Sequence, residues 1–286
     1  MSLAPLIPVG RMCELTQVSR AGFYRWRRQP APMVAAEEMD LRDAVQRMAL
    51  EFPCYGWRRV THPLRQQGWT VNHQRVRRIM REDNLRCGRK RKFVVTTDSN
   101  HSRRVYPNLA QQMTLTGIDQ LWVADITSIR LETEFVYLAV VIDAFSRRVI
   151  GWELDRTLED ELPLAALRMA LVWRQPASGL VHHSDRGSQY ASGDYTDLLK
   201  KHGCQISLSQ KASPWENARC ESWMKTLKTE EMNRQEYRDL AEARALITRF
   251  IDQVYNQKRM HSALDSRSPV EFDQALAMAS GAEVPS

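Results

Sequence analysis

Three acidic residues, far apart in the chain, have the residue type and spacing to hold metal ions. Asp125 lies inside an apolar segment, Asp185 follows another, and 35 residues separate Asp185 from Glu221. Carboxylate oxygens select hard cations such as Mg²⁺ or Mn²⁺, and two such ions about 3.5–4 Å apart stabilise both the attacking and the leaving oxygen of a phosphodiester. Because water or a DNA 3′-hydroxyl attacks, no nucleophilic side chain is needed. The three acids therefore predict metal-dependent phosphodiester chemistry.

Each acid also has an ordinary structural interpretation. A carboxylate inside an apolar strand, such as Asp125, costs free energy unless a metal ion or a buried arginine compensates its charge. Asp185 has the position of a plain turn residue, and most glutamates on helices are solvated. Lys225 and Lys228 follow Glu221 on the same helix face. Lys225 is either a surface ion-pair partner of Glu221 or, together with Lys228, a contact to DNA phosphates. At this level both interpretations stay open.

Other candidate sites are less convincing. The five cysteines are scattered and lack a Cys-x-x-Cys pair, which predicts neither a disulfide framework nor a zinc site and fits a reducing cytoplasm. His182 and His183 are adjacent, so in a strand they point to opposite faces and do not share one ion. Asp143 ends an apolar run and is interpreted as a turn or ion-pair residue.

Charge is distributed unevenly along the chain. Residues 1–105 carry 21 Lys+Arg against 9 Asp+Glu, whereas residues 106–286 carry 20 against 25. A basic half joined to an acidic half is typical of a nucleic-acid-binding module attached to a second module. The alternative is a basic surface that is only solvated. No apolar stretch approaches the roughly 18 residues of a membrane span.

The basic half predicts short helices. Residues 11–28 predict two helices around a turn, with Ser19 as the N-cap of the second, and residues 29–32 end this unit. The next helix covers residues 37–51, and its candidate core residues are Met39, Val45, Met48 and Phe52. A further helix begins at Gly56, and Pro63 is expected to kink or shorten it.

A last helix of this half is capped by Asn72 and lined with arginines. Its buried face is Val76, Ile79 and Met80, and the remaining faces carry Arg75, Arg77, Arg78 and Arg81. This pattern resembles a helix-turn-helix whose final helix enters the major groove, although helical bundles with exposed arginines also occur without DNA. Residues 88–104 are either a basic linker that follows phosphates or a plain connector.

The second half predicts an α/β core. Strands are expected at residues 121–131, 136–143, 147–154, 179–184 and 204–208, with helices between the third, fourth and fifth strands. Thr157 is expected to cap the first of these helices, with Asp160 in a capping box, and residues 190–202 form the second. The inward residues of the first helix are Leu162, Leu164, Leu167, Leu171 and Val172. This order of elements is that of a ribonuclease H-like fold.

Motifs along the chain carry a resemblance to a known family. They are residues 122–127 around Asp125, 183–190 around Asp185, 217–221 with Lys225 and Lys228, and the segments 55–59, 77–80, 255–256, 259–264 and 268–269. Over nearly its whole length the chain resembles the second-frame protein of bacterial insertion-sequence transposases, in the Asp-Asp-35-Glu group related to retroviral integrases. Glu216 and Ser128 depart from the aspartate and tyrosine usual in that family, without touching the three acids.

The resemblance implies that Asp125, Asp185 and Glu221 bind two Mg²⁺ or Mn²⁺ ions for DNA cleavage and strand transfer. It implies a helical DNA-binding region and linker at 1–105, an integrase-type α/β core at 106–238, and C-terminal helices at 239–286. It also implies a homo-oligomer on DNA, a bacterial cytoplasmic, nucleoid-associated location, and partnership or fusion with an upstream-frame product. Two alternatives stay open: a ribonuclease H-like nuclease and a non-catalytic DNA-binding regulator.

Overall fold

The computed structural model describes residues 8–28, 36–85, 106–209 and 217–280. The chain forms two compact units, residues 1–87 and residues 88–286. The segment 29–32, predicted to end the first helical unit, lies outside the described residues, as do the basic segment 88–104 and the unusual Glu216. None of the helices in the described ranges has the length and apolar character needed to cross a membrane.

The first unit begins with the predicted pair of short helices. Helix α1 covers Val9–Thr16 and helix α2 covers Arg20–Arg28. The Ser19 hydroxyl accepts a hydrogen bond of 3.0 Å from the backbone N–H of Gly22, so the predicted N-cap is confirmed. Gln17 adopts a left-handed conformation that ends α1.

Three further helices pack together in this unit: α3 (Ala36–Glu51), α4 (Trp57–Gln66) and α5 (His73–Glu82). Their buried side chains include Leu41, Val45, Met48, Val60, Leu64, Val76, Ile79 and Met80. Met39 is 62 % exposed, so its prediction as a core residue was wrong. The inward row of α3 passes through Leu41 and Val45, and Met39 lies about 200° around the helix from Leu41. Helix α4 continues through Pro63 and is not shortened by it.

The second unit contains one sheet of five strands. They are β1 (Leu121–Arg130), β2 (Phe135–Asp143), β3 (Val149–Asp155), β4 (Val181–Ser184) and β5 (Gln205–Leu208), in the order β3-β2-β1-β4-β5. The first three strands pair antiparallel, whereas β1, β4 and β5 are parallel. This arrangement confirms the predicted ribonuclease H-like fold, and it places β1 and β4 next to each other.

Helices cover both faces of the sheet. On one face, α6 (Glu161–Arg174) and α7 (Gly193–Lys201) pack against a buried cluster that includes Trp122 and Ala124. On the other face, α8 (Ala218–Glu230), α9 (Leu240–Arg249) and a π-helix (Phe250–Asn256) pack against Val123 and its neighbours. The last element of the described residues is α10 (Pro269–Ser280). Because side chains alternate along β1, Asp125 lies on the α8 face.

Two helix starts differ from the sequence-based prediction. Helix α6 begins at Glu161 rather than after Thr157, and Asp160 makes no side-chain cap. Pro163 explains this start, because proline is tolerated in the first turn of a helix but not further inside it. Residues Leu162, Leu164, Leu167 and Leu171 are buried as predicted, but Val172 is 75 % exposed. The predicted helix at 190–202 is a 3₁₀ turn, Ser188–Ala191, followed by α7.

Candidate active site

Strands β1 and β4 bring two of the three acids side by side. Their parallel register pairs Val123 with His183 and Ala124 with Ser184. Continued by one residue, this register sets Asp125 beside Asp185, which directly follows β4, and the Asp185 charge acts on Asp125. Paired residues on adjacent parallel strands point to the same face, so both carboxyl groups lie on the face that α8 covers.

Glu221 comes to the same face from the first turn of α8. This helix is anchored by its buried residues Cys220, Trp223 and Met224, whereas Glu221 itself is exposed. The buried Asn217, just before α8, donates a hydrogen bond of 3.1 Å from Nδ2 to the carbonyl oxygen of Ala124. That bond joins the residue before Asp125 to the start of the helix that carries Glu221.

The charges of the other two acids act on Asp125. Burial raises the pKa of Asp125 to about 7, and the negative charges of Asp185 and, more weakly, Glu221 raise it as well. The N–H of Ile126, 2.9 Å from Oδ1, and the ammonium group of Lys228 act in the opposite direction. In the described part of the chain, no three His, Cys, Asp or Glu side chains lie close enough together to hold a metal ion. The acids therefore form an electrostatic cluster, not a finished coordination sphere.

Of the ordinary structural interpretations, the structure supports the turn role of Asp185 but not the ion pairs considered for Asp125 and Glu221. Within the described ranges, no arginine forms an ion pair with Asp125, and no ion pair joins Glu221 to Lys225. The turn role of Asp185 is real, since its Oδ1 accepts a hydrogen bond of 2.9 Å from the N–H of Gly187. The turn holds the Asp185 carboxylate in place and is compatible with a role in chemistry.

The raised pKa of Asp125 leads to a testable prediction about the stability of the metal-free protein. From the ordinary 3.8 up to about 7, the folded state keeps a proton on Asp125 that the unfolded state has lost. Stability should therefore fall as pH rises through this window, because the folded state binds more protons. Asp125→Asn should abolish this contribution and leave the metal-free protein more stable than the wild type at pH values above about 7.

Thermal unfolding of both proteins in EDTA, measured at several pH values, tests this expectation. Asp143, whose pKa burial raises to about 6, is present in both proteins, so the difference between them isolates Asp125. Two curves that run parallel across the whole pH range would show that Asp125 titrates normally in the fold.

The remaining sequence candidates have structural roles. His182 Nε2 lies 3.0 Å from the hydroxyl of Tyr195 on the α7 side, whereas His183 Nδ1 lies 2.8 Å from Ser207 Oγ, which confirms that the two rings point apart. Asp143 is fully buried and accepts hydrogen bonds from the backbone of Asp119 and Ser146. Asp143 is therefore a turn residue, as predicted.

The predicted DNA contacts on α5 divide into two pairs. Arg75 and Arg78 form ion pairs with Glu38 of α3, at 2.5 and 2.6 Å. Arg77 and Arg81 are exposed, and within the described residues neither forms an ion pair. Two of the four arginines are therefore directly available to a ligand. A pattern of residue types along α5 carries no information about Glu38, which lies 37 residues before Arg75.

On α8, the two predicted DNA-contacting lysines differ in their surroundings. Lys225 is exposed, whereas Lys228 is half-buried and its positive charge reaches Asp125. Burial lowers the pKa of Lys228, and the Asp125 charge counteracts part of that effect. Lys228 therefore lies at the edge of the carboxylate cluster.

The C-terminal motif residues hold α8 in position, a role that the sequence pattern did not reveal. Arg259 donates two hydrogen bonds of 3.0 Å to the carboxylate of Glu230, at the end of α8. The ring of Tyr255 packs edge-on against Trp223 of α8, with the centroids 6.0 Å apart. Both contacts bury groups that fix the helix against the sheet, and so they determine where Glu221 lies.

Family profiles match most of the chain. A profile described as "Integrase core domain" matches residues 116–214, and a second profile with the same description matches residues 202–269. A profile described as "HTH-like domain" matches residues 36–93.

Curated relatives match over almost the full length. The chain is 36% identical over 270 residues to "Insertion element IS600 uncharacterized 31 kDa protein" of Shigella sonnei, covering 91% of this chain and 97% of the relative. It is 34% identical over 266 residues to "Transposase InsF for insertion sequence IS3A" of Escherichia coli (strain K12), with 92% of each chain covered. A transposase of element IS904 from Lactococcus lactis is 36% identical and covers 77% of this chain and 87% of its own length.

Solved structures with a similar fold include integrase cores. The HTLV-2 integrase catalytic core domain in complex with magnesium has a TM-score of 0.42 at 16% identity, covering 55% of this chain and 97% of its own. A simian T-cell lymphotropic virus intasome subunit has a TM-score of 0.46 at 14% identity, covering 80% and 74%.

Proposed function

The chain belongs to the insertion-sequence transposases with an integrase core domain, and we propose that Asp125, Asp185 and Glu221 carry out its chemistry. As a member, it is a DNA transposase that cleaves DNA and transfers strands at the ends of an insertion sequence. The observation that supports the residue assignment is the register of β1 and β4, which sets Asp125 beside Asp185 on the α8 face.

The donor set fits a hard divalent cation. Three carboxylates suit Mg²⁺ or Mn²⁺, and the raised pKa of Asp125 shows a negative charge that the surrounding protein compensates poorly. We propose that the three acids bind two such ions. Coordination requires the three carboxylates to approach one another more closely, and the exposed side chain of Glu221 is able to change rotamer. The bound ions would activate the attacking oxygen and stabilise the leaving one.

The protein's own groups would position DNA around this chemistry. Lys225 and Lys228, one and two turns beyond Glu221 on α8, would hold backbone phosphates beside the acids. The hydrogen bond from Asn217 to Ala124 would fix the start of α8 beside Asp125. The hydrogen bond from Gly187 would fix the carboxylate of Asp185. The scissile phosphodiester would then lie over the middle of β1 and the carboxyl end of β4.

The helical unit would bind DNA through α5. Arg77 and Arg81 are exposed and reach a phosphate or a base edge without losing a partner, whereas Arg75 and Arg78 first have to exchange Glu38 for DNA. Because cationic contacts release counterions from DNA, binding should weaken steeply as the salt concentration rises.

The wider assembly follows from the same proposal. The chain would act as a homo-oligomer on DNA in the bacterial cytoplasm, associated with the nucleoid, together with or fused to an upstream-frame product. Residues 1–105 would recognise DNA and link to the core, residues 106–238 would perform the chemistry, and residues 239–286 would support it. The buried C-terminal residues Ile247, Phe250 and Tyr255 fit that supporting role.

An assay of strand joining tests the function. Labelled duplexes that carry the DNA flanking the gene are incubated with the protein and a target plasmid, with Mg²⁺ or with EDTA. Metal-dependent joined products are expected. A ribonuclease H-like nuclease would instead cut RNA–DNA hybrids in preference to these duplexes, and a non-catalytic regulator would bind them equally well in EDTA and produce no joined strands.

A substitution in the turn after Asp185 should cause a moderate loss of strand joining. A Cβ atom at Gly187 would lie 3.0 Å from Asp185 Oδ1 and 3.3 Å from Gln189 Oε1, closer than most real contacts. Gly187→Ala should therefore displace the Asp185 carboxylate and reduce strand joining about 10- to 100-fold, the usual effect of disturbing a group that orients a metal ligand. Metal titration of the joining rate should show a higher Mg²⁺ requirement.

Gly193→Ala is the matched control, since a Cβ there meets nothing within 4 Å. It should join strands at nearly the wild-type rate. Equal rates for the two alanine variants would show that the turn does not position Asp185.

A further inference from the structure

A basic cavity lies on the side of α8 opposite Glu221, apart from the lysines Lys225 and Lys228. A cavity of about 390 Å³ is lined by Leu115, Phe145, Arg147, Arg219, Leu264 and Phe272, among others. Arg219 is in the first turn of α8, two residues before Glu221, so the two side chains point about 200° apart around the helix. The cavity is therefore separate from the carboxylate cluster.

Two arginines share this cavity without an acidic partner. Within the described residues, neither the Arg147 nor the Arg219 guanidinium forms an ion pair or donates a hydrogen bond. None of the described residues that line the cavity is acidic. The nearest acid that acts on Arg219 is Asp143, which is fully buried and already accepts four hydrogen bonds from its own turn and from Asp119.

This placement of positive charge is unfavourable unless an anion joins it. Burial lowers the pKa of Arg219, and the neighbouring Arg147 charge lowers it further. The positive end of the α8 dipole disfavours a cation in the first turn as well. Arg147 also has a left-handed backbone, with φ 63°, which a residue other than glycine adopts at some cost in free energy. The electrostatic costs, which come from burial, from the neighbouring guanidinium and from the helix dipole, would fall if the cavity held a negatively charged group.

Aromatic rings indicate what else the ligand carries. Phe145 and Phe272 contact each other in the wall, with ring centroids 5.6 Å apart. Both rings are partly exposed. Guanidinium groups beside accessible aromatic rings are the combination that binds single strands, since the cations hold phosphates and the rings stack on bases or sugars. An acidic peptide would use the cations but would gain less from the rings.

We propose that this cavity is a second DNA-binding site, in which Arg147 and Arg219 hold a backbone phosphate and the attached nucleotide packs against Phe145 and Phe272. The inference rests on the proposed transposase function, because it assumes that DNA follows α8. It extends the DNA path from Lys225 and Lys228 around to the opposite side of the helix. A strand leaving the carboxylate cluster would then be held on both sides of α8.

The test measures DNA binding, not catalysis, so that it is independent of the carboxylate assignment. The variants are Arg147→Asn, which suits the left-handed backbone, and Arg219→Gln; both are made in the full-length protein. The control is Arg168→Gln, which removes one exposed arginine on α6, on the opposite face of the sheet. Fluorescence anisotropy with a labelled oligonucleotide carrying a single-stranded overhang is recorded in EDTA at several salt concentrations.

Both variants should bind about tenfold more weakly than the wild type, and the slope of log K against log salt should fall by roughly 0.7–0.9 for the lost phosphate contact. Arg168→Gln should behave like the wild type. Thermal unfolding shows whether each variant is folded; if Arg219→Gln is not, Arg147→Asn decides alone.

Binding by Arg147→Asn that equals binding by the control would overturn the proposal and leave an acidic peptide as the candidate occupant. Loss of joining in Asp185→Asn together with unchanged binding by Arg147→Asn would remove this site and keep the proposed function. Weakened binding by Arg147→Asn with undiminished joining by Asp185→Asn would support this DNA-binding site and refute the proposed role of the carboxylates.

Discussion

Asp185→Asn should abolish Mg²⁺-dependent strand joining, with a loss of about a thousandfold or more. Asparagine removes the negative charge and one oxygen donor from the carboxylate cluster. Its remaining side-chain oxygen still accepts the hydrogen bond from Gly187, so the turn after β4 stays intact. The substitution therefore separates the chemical role of Asp185 from its structural role.

Asp197→Asn is the control for this experiment. Asp197 lies exposed on α7 and pairs with Lys200 at 2.8 Å, away from the acids. The control should join strands at the wild-type rate, and both variants should bind DNA in EDTA as the wild type does. Undiminished joining by Asp185→Asn would refute the assignment of the site, whatever the family of the protein.

Asp273→Asn should cause the largest loss of stability. Asp273 on α10 is 1 % exposed and accepts hydrogen bonds from Arg174 at 2.6 Å and from Arg148 at 3.1 Å. Both guanidinium groups also stack on the ring of Trp173, at 4.5 and 4.3 Å from its centroid. Without the carboxylate, two largely buried cations remain around one ring, and Asp119, 3.8 Å from Arg174, is the next acid.

Removing one partner of a buried ion pair costs about 3–5 kcal/mol, because the remaining charge stays buried and uncompensated. Urea unfolding of Asp273→Asn should show a loss of that size. Glu161→Gln breaks an exposed pair with Arg168 and should cost less than about 1 kcal/mol. Equal losses in the two variants would show that α10 is not held by this network.

The amino-acid sequence by itself determined the order of strands and helices, and it named the three acids as candidates for the site. Alternating and helical periodicity report which face of an element is apolar, and they correctly placed Val76, Ile79 and Met80 in the helical core. Cap residues such as Ser19 and Asn72 correctly marked helix starts, because a side chain that bonds the next turn acts only locally. Local signals sufficed for these features.

Only the tertiary structure decided which residues meet. The register of β1 and β4 sets Asp125 beside Asp185, and the Asn217 bond to Ala124 spans 93 positions. Two helix residues were also misplaced: Met39 lies on the side of α3 opposite Leu41, and Val172 lies outside the covered stripe of α6, whose width periodicity does not show. The pairing of α5 arginines with Glu38, and the meeting of Arg147 with Arg219, depend on packing between distant segments. Such contacts arise from the way whole elements pack together, which no local pattern of residue types records.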